Sequence, residues 1–88
     1  MTQEQIDKRI EDAKRAIEKC GQYINYRQDD IHSFEDIRKV CEPFLKQGYH
    51  AKINYFNDYR KPYQCYIIQK NKFDLSRQGM LIHSEILG

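Results

Sequence analysis

Apolar residues recur at Ile6, Ile10, Ala13, Ile17 and Cys20, in steps of four, three, four and three. That spacing collects them on one side of a helix and predicts a helix over 3–20, with Ala16 widening the stripe. Thr2 and Gln5 have the spacing of a capping box, in which the hydroxyl accepts from an early backbone N–H and the glutamine reaches back to the cap. Glu4 with Lys8 and Glu11 with Arg15 are acid-before-base pairs four apart, which support an exposed helix face. The stripe has coiled-coil spacing but spans only about two heptads, so it is expected to lie on its own domain. A homodimer through helix 3–20 is the other use of the same stripe. Gly21 suits the left-handed position that ends a helix. Beyond it, Tyr23 to His32 is mostly polar with Tyr23, Ile24, Tyr26 and Ile31 interspersed, and is expected to be irregular.

A second helix is predicted from Phe34 to Gln47. Ser33 has the chemistry of an N-cap, and Glu35 and Asp36 place negative charge at the positive end of the helix dipole. Phe34, Ile37, Val40, Cys41, Phe44 and Leu45 share one face. Pro43 removes one intrahelical hydrogen bond, so a kink or restart is expected near 39–43, and Gly48 is placed to stop the helix.

From Tyr49 the period changes to two. Tyr49, Ala51, Ile53 and Tyr55 alternate with His50, Lys52, Asn54 and Phe56, and the first set is expected to face the helices. Between Tyr63 and Lys70 both alternating sets carry apolar residues, which predicts a strand with neighbours on both sides. A lone hairpin is marginal in water, so a third strand is expected beside this one, most plausibly from Met80 to about Glu85 after a turn at Asp74. The fold class is therefore α+β: one domain, 1–88, with two helices on one face of a small antiparallel sheet of two to three strands around a central hairpin, 49–70.

Composition changes this picture little. With 40% hydrophobic and 32% charged residues the chain is too apolar and too periodic for disorder. No apolar run is long enough to span a bilayer, and the polar start, Met1 to Gln5, carries no secretory pattern. A soluble cytoplasmic protein with no membrane partner is expected. Three cysteines without C-x-x-C spacing argue against disulfide, zinc or redox chemistry; Cys20, Cys41 and Cys65 are expected as core or near-core thiols. Charge matters more. The net charge of +2 is unevenly spread: residues 46–77 hold seven basic and two acidic side chains, whereas 22–45 hold three basic and five acidic. The hairpin region is the positive pole of the chain.

Candidate chemistry is sparse. Asp29, Asp30, His32, Glu35 and Asp36 are the densest set of potential metal ligands, but neighbours in an extended segment point apart and the last two are explained by the helix start. No metal is expected. His50 or His83 could pair with Cys65 only if the fold brought them together. The four glycines are isolated, so there is no phosphate cradle and no nucleotide cofactor is expected; the chain does not read as an enzyme. The one positive signal is the hairpin tip. Five of the eleven tyrosines and phenylalanines lie between Tyr55 and Tyr66, and Tyr59 and Tyr63 bracket Arg60, Lys61 and Pro62. Tyrosine and arginine dominate protein-binding hot spots, which nominates Tyr55, Phe56, Tyr59, Arg60, Lys61 and Tyr63 as a partner-binding set. The alternative is single-stranded RNA or DNA, with bases stacked on Tyr59 and phosphates at Lys52, Arg60, Lys61 and Lys70. The functional expectation is a small regulatory protein that modulates or inhibits a larger protein partner by occupying its surface. In size and lack of catalytic apparatus it is similar to the accessory, anti-host or anti-defence proteins of phages and other mobile elements. A small enzyme with an unrecognised site is the third reading.

Overall fold

A computed structural model describes residues 1–27, 32–57, 62–73 and 83–88, with the backbone alone at Arg27, Phe56, Asn57, Pro62, Tyr63 and His83. The elements run α1 (Gln3–Cys20), β1 (Gln22–Arg27), α2 (Phe34–Lys46), β2 (His50–Asn57), β3 (Pro62–Gln69) and β4 (His83–Leu87). The fold is α+β with two helices, and its antiparallel sheet has four strands, two beyond the central hairpin, in the order β1-β3-β2-β4.

Both helices begin and end as local chemistry dictates. Thr2 Oγ1 accepts from the Gln5 N–H at 3.2 Å while Gln5 Oε1 accepts from the Thr2 N–H at 2.9 Å, which completes the capping box of α1. Gly21, at φ 77°, closes it in the left-handed conformation. Ser33 Oγ accepts from the Asp36 N–H at the start of α2. The helix continues through Pro43 to Lys46 without a restart, and Gln47 is its cap rather than its last residue. Its exit is a Schellman motif. The Gly48 N–H donates to the Leu45 carbonyl and the Tyr49 N–H to the Phe44 carbonyl, and Gly48 takes φ 90°. The hydrophobic contact that accompanies such a motif is the edge-on packing of the Phe44 and Tyr49 rings, 6.3 Å apart.

Register divides the sheet residues between two faces. One carries Tyr23 and Asn25 of β1, Gln64, Tyr66 and Ile68 of β3, Ala51 and Ile53 of β2, and Leu87 of β4. The helices cover it: α1 contributes Ile6 and Ala13 to the core, and α2 contributes Ile37, Val40, Cys41 and Phe44. Ile10, Ala16 and Ile17 pack at the margin, so the heptad-like stripe of α1 is spent on its own domain. Cys20, expected near the core, is exposed; it is the last residue of α1, followed at once by the Gly21 cap.

Two strand expectations are corrected. Residues 22–27, expected to be irregular, form β1, and β1 rather than a C-terminal segment is the second neighbour of β3. The strand from the C-terminal stretch exists as His83–Leu87 but pairs with β2, and Met80 to Ile82 lie outside the described residues. The two corrections have different causes. β1 has apolar residues on both faces, so its alternation is invisible as a polarity pattern, while the choice of strand neighbours is a long-range matter that local sequence does not encode.

Two side-chain contacts hold α2 and β4 in place. Gln64, 1% exposed, clamps the residue before the α2 cap: its Oε1 accepts from the His32 N–H at 3.2 Å and its Nε2 donates to the His32 carbonyl at 2.7 Å. Replacing Gln64 with leucine keeps the volume but leaves two backbone groups without those partners. The variant is expected to lose about 1–3 kcal/mol of stability in a urea titration; an unchanged midpoint would show that the clamp contributes nothing. Arg38 of α2 forks onto Glu85 of β4, Nε to Oε1 at 2.8 Å and Nη2 to Oε2 at 2.7 Å. This bidentate geometry orients the edge strand against the helix layer.

Candidate functional site

The other face of the sheet is where the described residues leave apolar surface uncovered. Neither described helix packs on it: α1 meets β1 and α2, and α2 meets β2 and β3, through the core face described above. Register aligns two rows across its four strands. One row is Ile24 of β1, Ile67 of β3, Lys52 of β2 and Ile86 of β4; the next is Tyr26, Cys65, Asn54 and Ser84. Ile24 and Tyr26 are 53% and 54% exposed and are the exposed large hydrophobic side chains of the described structure. Ile67, Cys65 and Ile86 are half-buried. Scattered apolar residues are normal on a protein surface, but here they are contiguous, because a strand that shows an apolar residue on each face must bring one of them outward.

Among the described residues the face is also one-signed. None of its register positions between β1 and β4 carries a carboxylate, and it holds Lys52 and His50. Lys52 is half-buried between the flanking isoleucine strands, and among the described residues it makes no ion pair. Near its C-terminal corner His50, Lys72, Phe73, Ile86 and Gly88 surround a shallow hollow of about 210 Å³, with His50 Nδ1 within 2.7 Å of the Gly88 carbonyl oxygen. The sheet's one carboxylate in β4, Glu85, points to the helix side and is held by Arg38.

Of the residues nominated at the hairpin tip, Tyr59, Arg60 and Lys61 lie outside the described residues, and so do the side chains of Phe56 and Tyr63. Tyr55 is half-buried and belongs to the register set of the helix-covered face, opposite Gln64. Lys52 and the strand carrying Cys65 and Ile67 belong to the uncovered face, and Lys70 is exposed just past β3. A charge count alone finds Lys52; the exposure of Ile24 and Tyr26 was not legible, since nothing local marks which side of an all-round apolar strand is left bare.

The groups weighed for chemistry are not brought together. His50 is opposite Gln69 and Cys65 opposite Asn54, four residues apart along β3, or roughly 13 Å at strand spacing. Burial pushes the Cys65 thiol up, away from the thiolate a nucleophile needs. The side chain of His83 is not described. Asp36 takes a hydrogen bond from the Met1 ammonium at 2.9 Å, and this contact holds its carboxyl below the usual range. Glu35 is exposed, Asp29 and Asp30 lie outside the described residues, and among the described residues no three potential ligands gather around one point.

Comparison of the chain with family models, with curated proteins and with solved structures gives no match. No described helix is long and apolar enough to cross a membrane. The functional reading therefore stands on the surface just described.

Proposed function

We propose that this is a small binding protein that modulates a larger protein partner by laying the uncovered face of its sheet on that partner's surface. The observation that carries the reading is the contiguous exposure of Ile24 and Tyr26 beside Ile67 and Ile86. Apolar surface of that kind is stabilised by burial against a partner at about 25 cal/mol per Å², and contiguous patches are where monomers make contacts. The tip residues nominated from the sequence, Tyr59, Arg60 and Tyr63, are tested beside this face.

The test is affinity capture from the native cell, nuclease-treated, with the wild-type chain, the variant Ile24→Glu with Tyr26→Ser, and the variant Tyr59→Ala, Arg60→Ala, Tyr63→Ala run side by side. A protein recovered in stoichiometric amount with wild type and lost with the face variant supports the reading, provided both variants melt within a few degrees of wild type. A partner retained by the face variant and lost with the tip variant would move the site to the tip. Recovery of material that nuclease removes would replace it with nucleic acid.

A further inference from the structure

Lys52 sits third in the row Ile24, Ile67, Lys52, Ile86. Register sets it between Ile67 and Ile86 and it is half-buried there, yet among the described residues it has no ion-pair partner and no carboxylate shares its face. A partner that covers the isoleucines must also cover this ammonium. An ammonium taken out of water without an anion costs several kcal/mol, so any surface that fits the row has to bring one. We infer that the partner presents a carboxylate to Lys52, flanked on both sides by apolar side chains that meet Ile67 and Ile86, so that Lys52 is the specificity determinant of the interface. The inference rests on the proposed use of this face and adds the chemistry of what binds there.

The same charge balance selects among occupants. A second copy of this chain laid face to face would set lysine against a surface with no anion, and both Lys52 side chains would be buried unneutralised. A nucleic acid would satisfy the charge and could stack on Tyr26 in the next row, but it would leave Ile24, Ile67 and Ile86 without an apolar counterpart. Geometry narrows the partner further. Strands lie about 4.8 Å apart, and residues three or four apart on a helix are separated by about 5–6 Å. A helix crossing the strands, with an acidic residue three to four positions from an apolar residue on either side, matches the row.

Selection of helical peptides from a displayed library against the immobilised full chain tests this without knowledge of the natural partner. Enriched peptides are expected to carry Asp or Glu between apolar residues at helical spacing. Lys52→Glu should weaken them by roughly tenfold or more, the scale of one charge-assisted contact, and replacing the peptide's acid by lysine should recover binding to that variant. Lys52→Gln, which keeps much of the stem, serves as the second variant if Lys52→Glu fails to fold. Peptides that lose binding to Ile24→Ser yet ignore Lys52→Glu would overturn the carboxylate inference and leave the face reading intact. Peptides indifferent to both would overturn both, as would the absence of any enrichment. Displacement of bound peptide by single-stranded oligodeoxythymidylate would assign the lysine to phosphate, and a dimer in sedimentation that Ile24→Ser dissolves would assign the face to a second copy; either result overturns the inference.

Discussion

Replacing Phe44 with alanine is expected to cost about 3–5 kcal/mol, enough to leave a domain of this size partly unfolded at physiological temperature. Phe44 is 2% exposed and joins the core cluster built by α2 on β2 and β3. It has a second task that other core residues lack. Its carbonyl accepts the Tyr49 N–H in the Schellman motif, and its ring packs edge-on against Tyr49, so the side chain joins the end of α2 to the start of β2. Truncation opens a cavity and also removes the contact that sets the angle at which the chain enters the sheet. Urea unfolding followed by circular dichroism measures the loss. The comparison Ile53→Val, at a residue that is fully buried but distant from the turn, should cost only about 0.5–1.5 kcal/mol. A loss for Phe44→Ala that is no greater than for Ile53→Val would show that the junction is held by the backbone hydrogen bonds alone.

The second large effect is alkaline destabilisation. Burial pushes the Cys41 thiol from its ordinary 9.0 up to about 12, and burial, with Tyr23 beside it, pushes the Tyr66 hydroxyl up as well. In both groups the folded state holds its proton where the unfolded chain has released it. The stabilisation is therefore fully present below the unfolded value and is lost as pH rises from there through the folded one. For Cys41 that window is pH 9 to 12. At about 1.4 kcal/mol for each unit of difference, this thiol alone is expected to remove about 2–3 kcal/mol of stability by pH 11, with Tyr66 adding to the slope above its own unfolded value. Urea midpoints at intervals from pH 8 to 11 check this. Cys41→Ala lowers the whole curve through the cavity it leaves, and its informative feature is a shallower fall with pH. Midpoints that stay level to pH 11 in the wild type would contradict it.

The steps of four and three that end at Cys20 did predict α1, since an amphipathic helix on a domain surface is defined by local period and its ends by local caps. The same holds for the Ser33 cap and for Gly48, whose positive φ has few other occupants. The central hairpin and the inward set Ala51 and Ile53 follow from a period of two. β1 itself was not legible for a local reason. Tyr23-Ile24-Asn25-Tyr26 has apolar residues on both sides of the backbone and polar Asn25 facing the core, so its polarity pattern contradicts its structure. Half of the inward amide is satisfied, its Nδ2 donating to the Tyr23 hydroxyl at 2.8 Å, a partner supplied by the same strand only once that strand exists, while its Oδ1 is buried without a partner among the described residues. The candidate site followed the same division. Its positive charge was visible in the count of residues 46–77, and its apolar half was not.

By itself the sequence determined the two helices and their N-terminal caps, the hairpin and the location of the positive charge, because each depends on residues within a turn or a strand of one another. Strand order was decided only in the tertiary structure. Pairing β1 with β3 and β4 with β2 brings together residues 28 to 47 positions apart, and it is selected by the burial of one common face beneath both helices. That choice also decided which side of the sheet the described helices leave uncovered, and so placed Ile24, Ile67, Lys52 and Ile86 in one line. Four residues from four strands become neighbours only when the strands have taken their places.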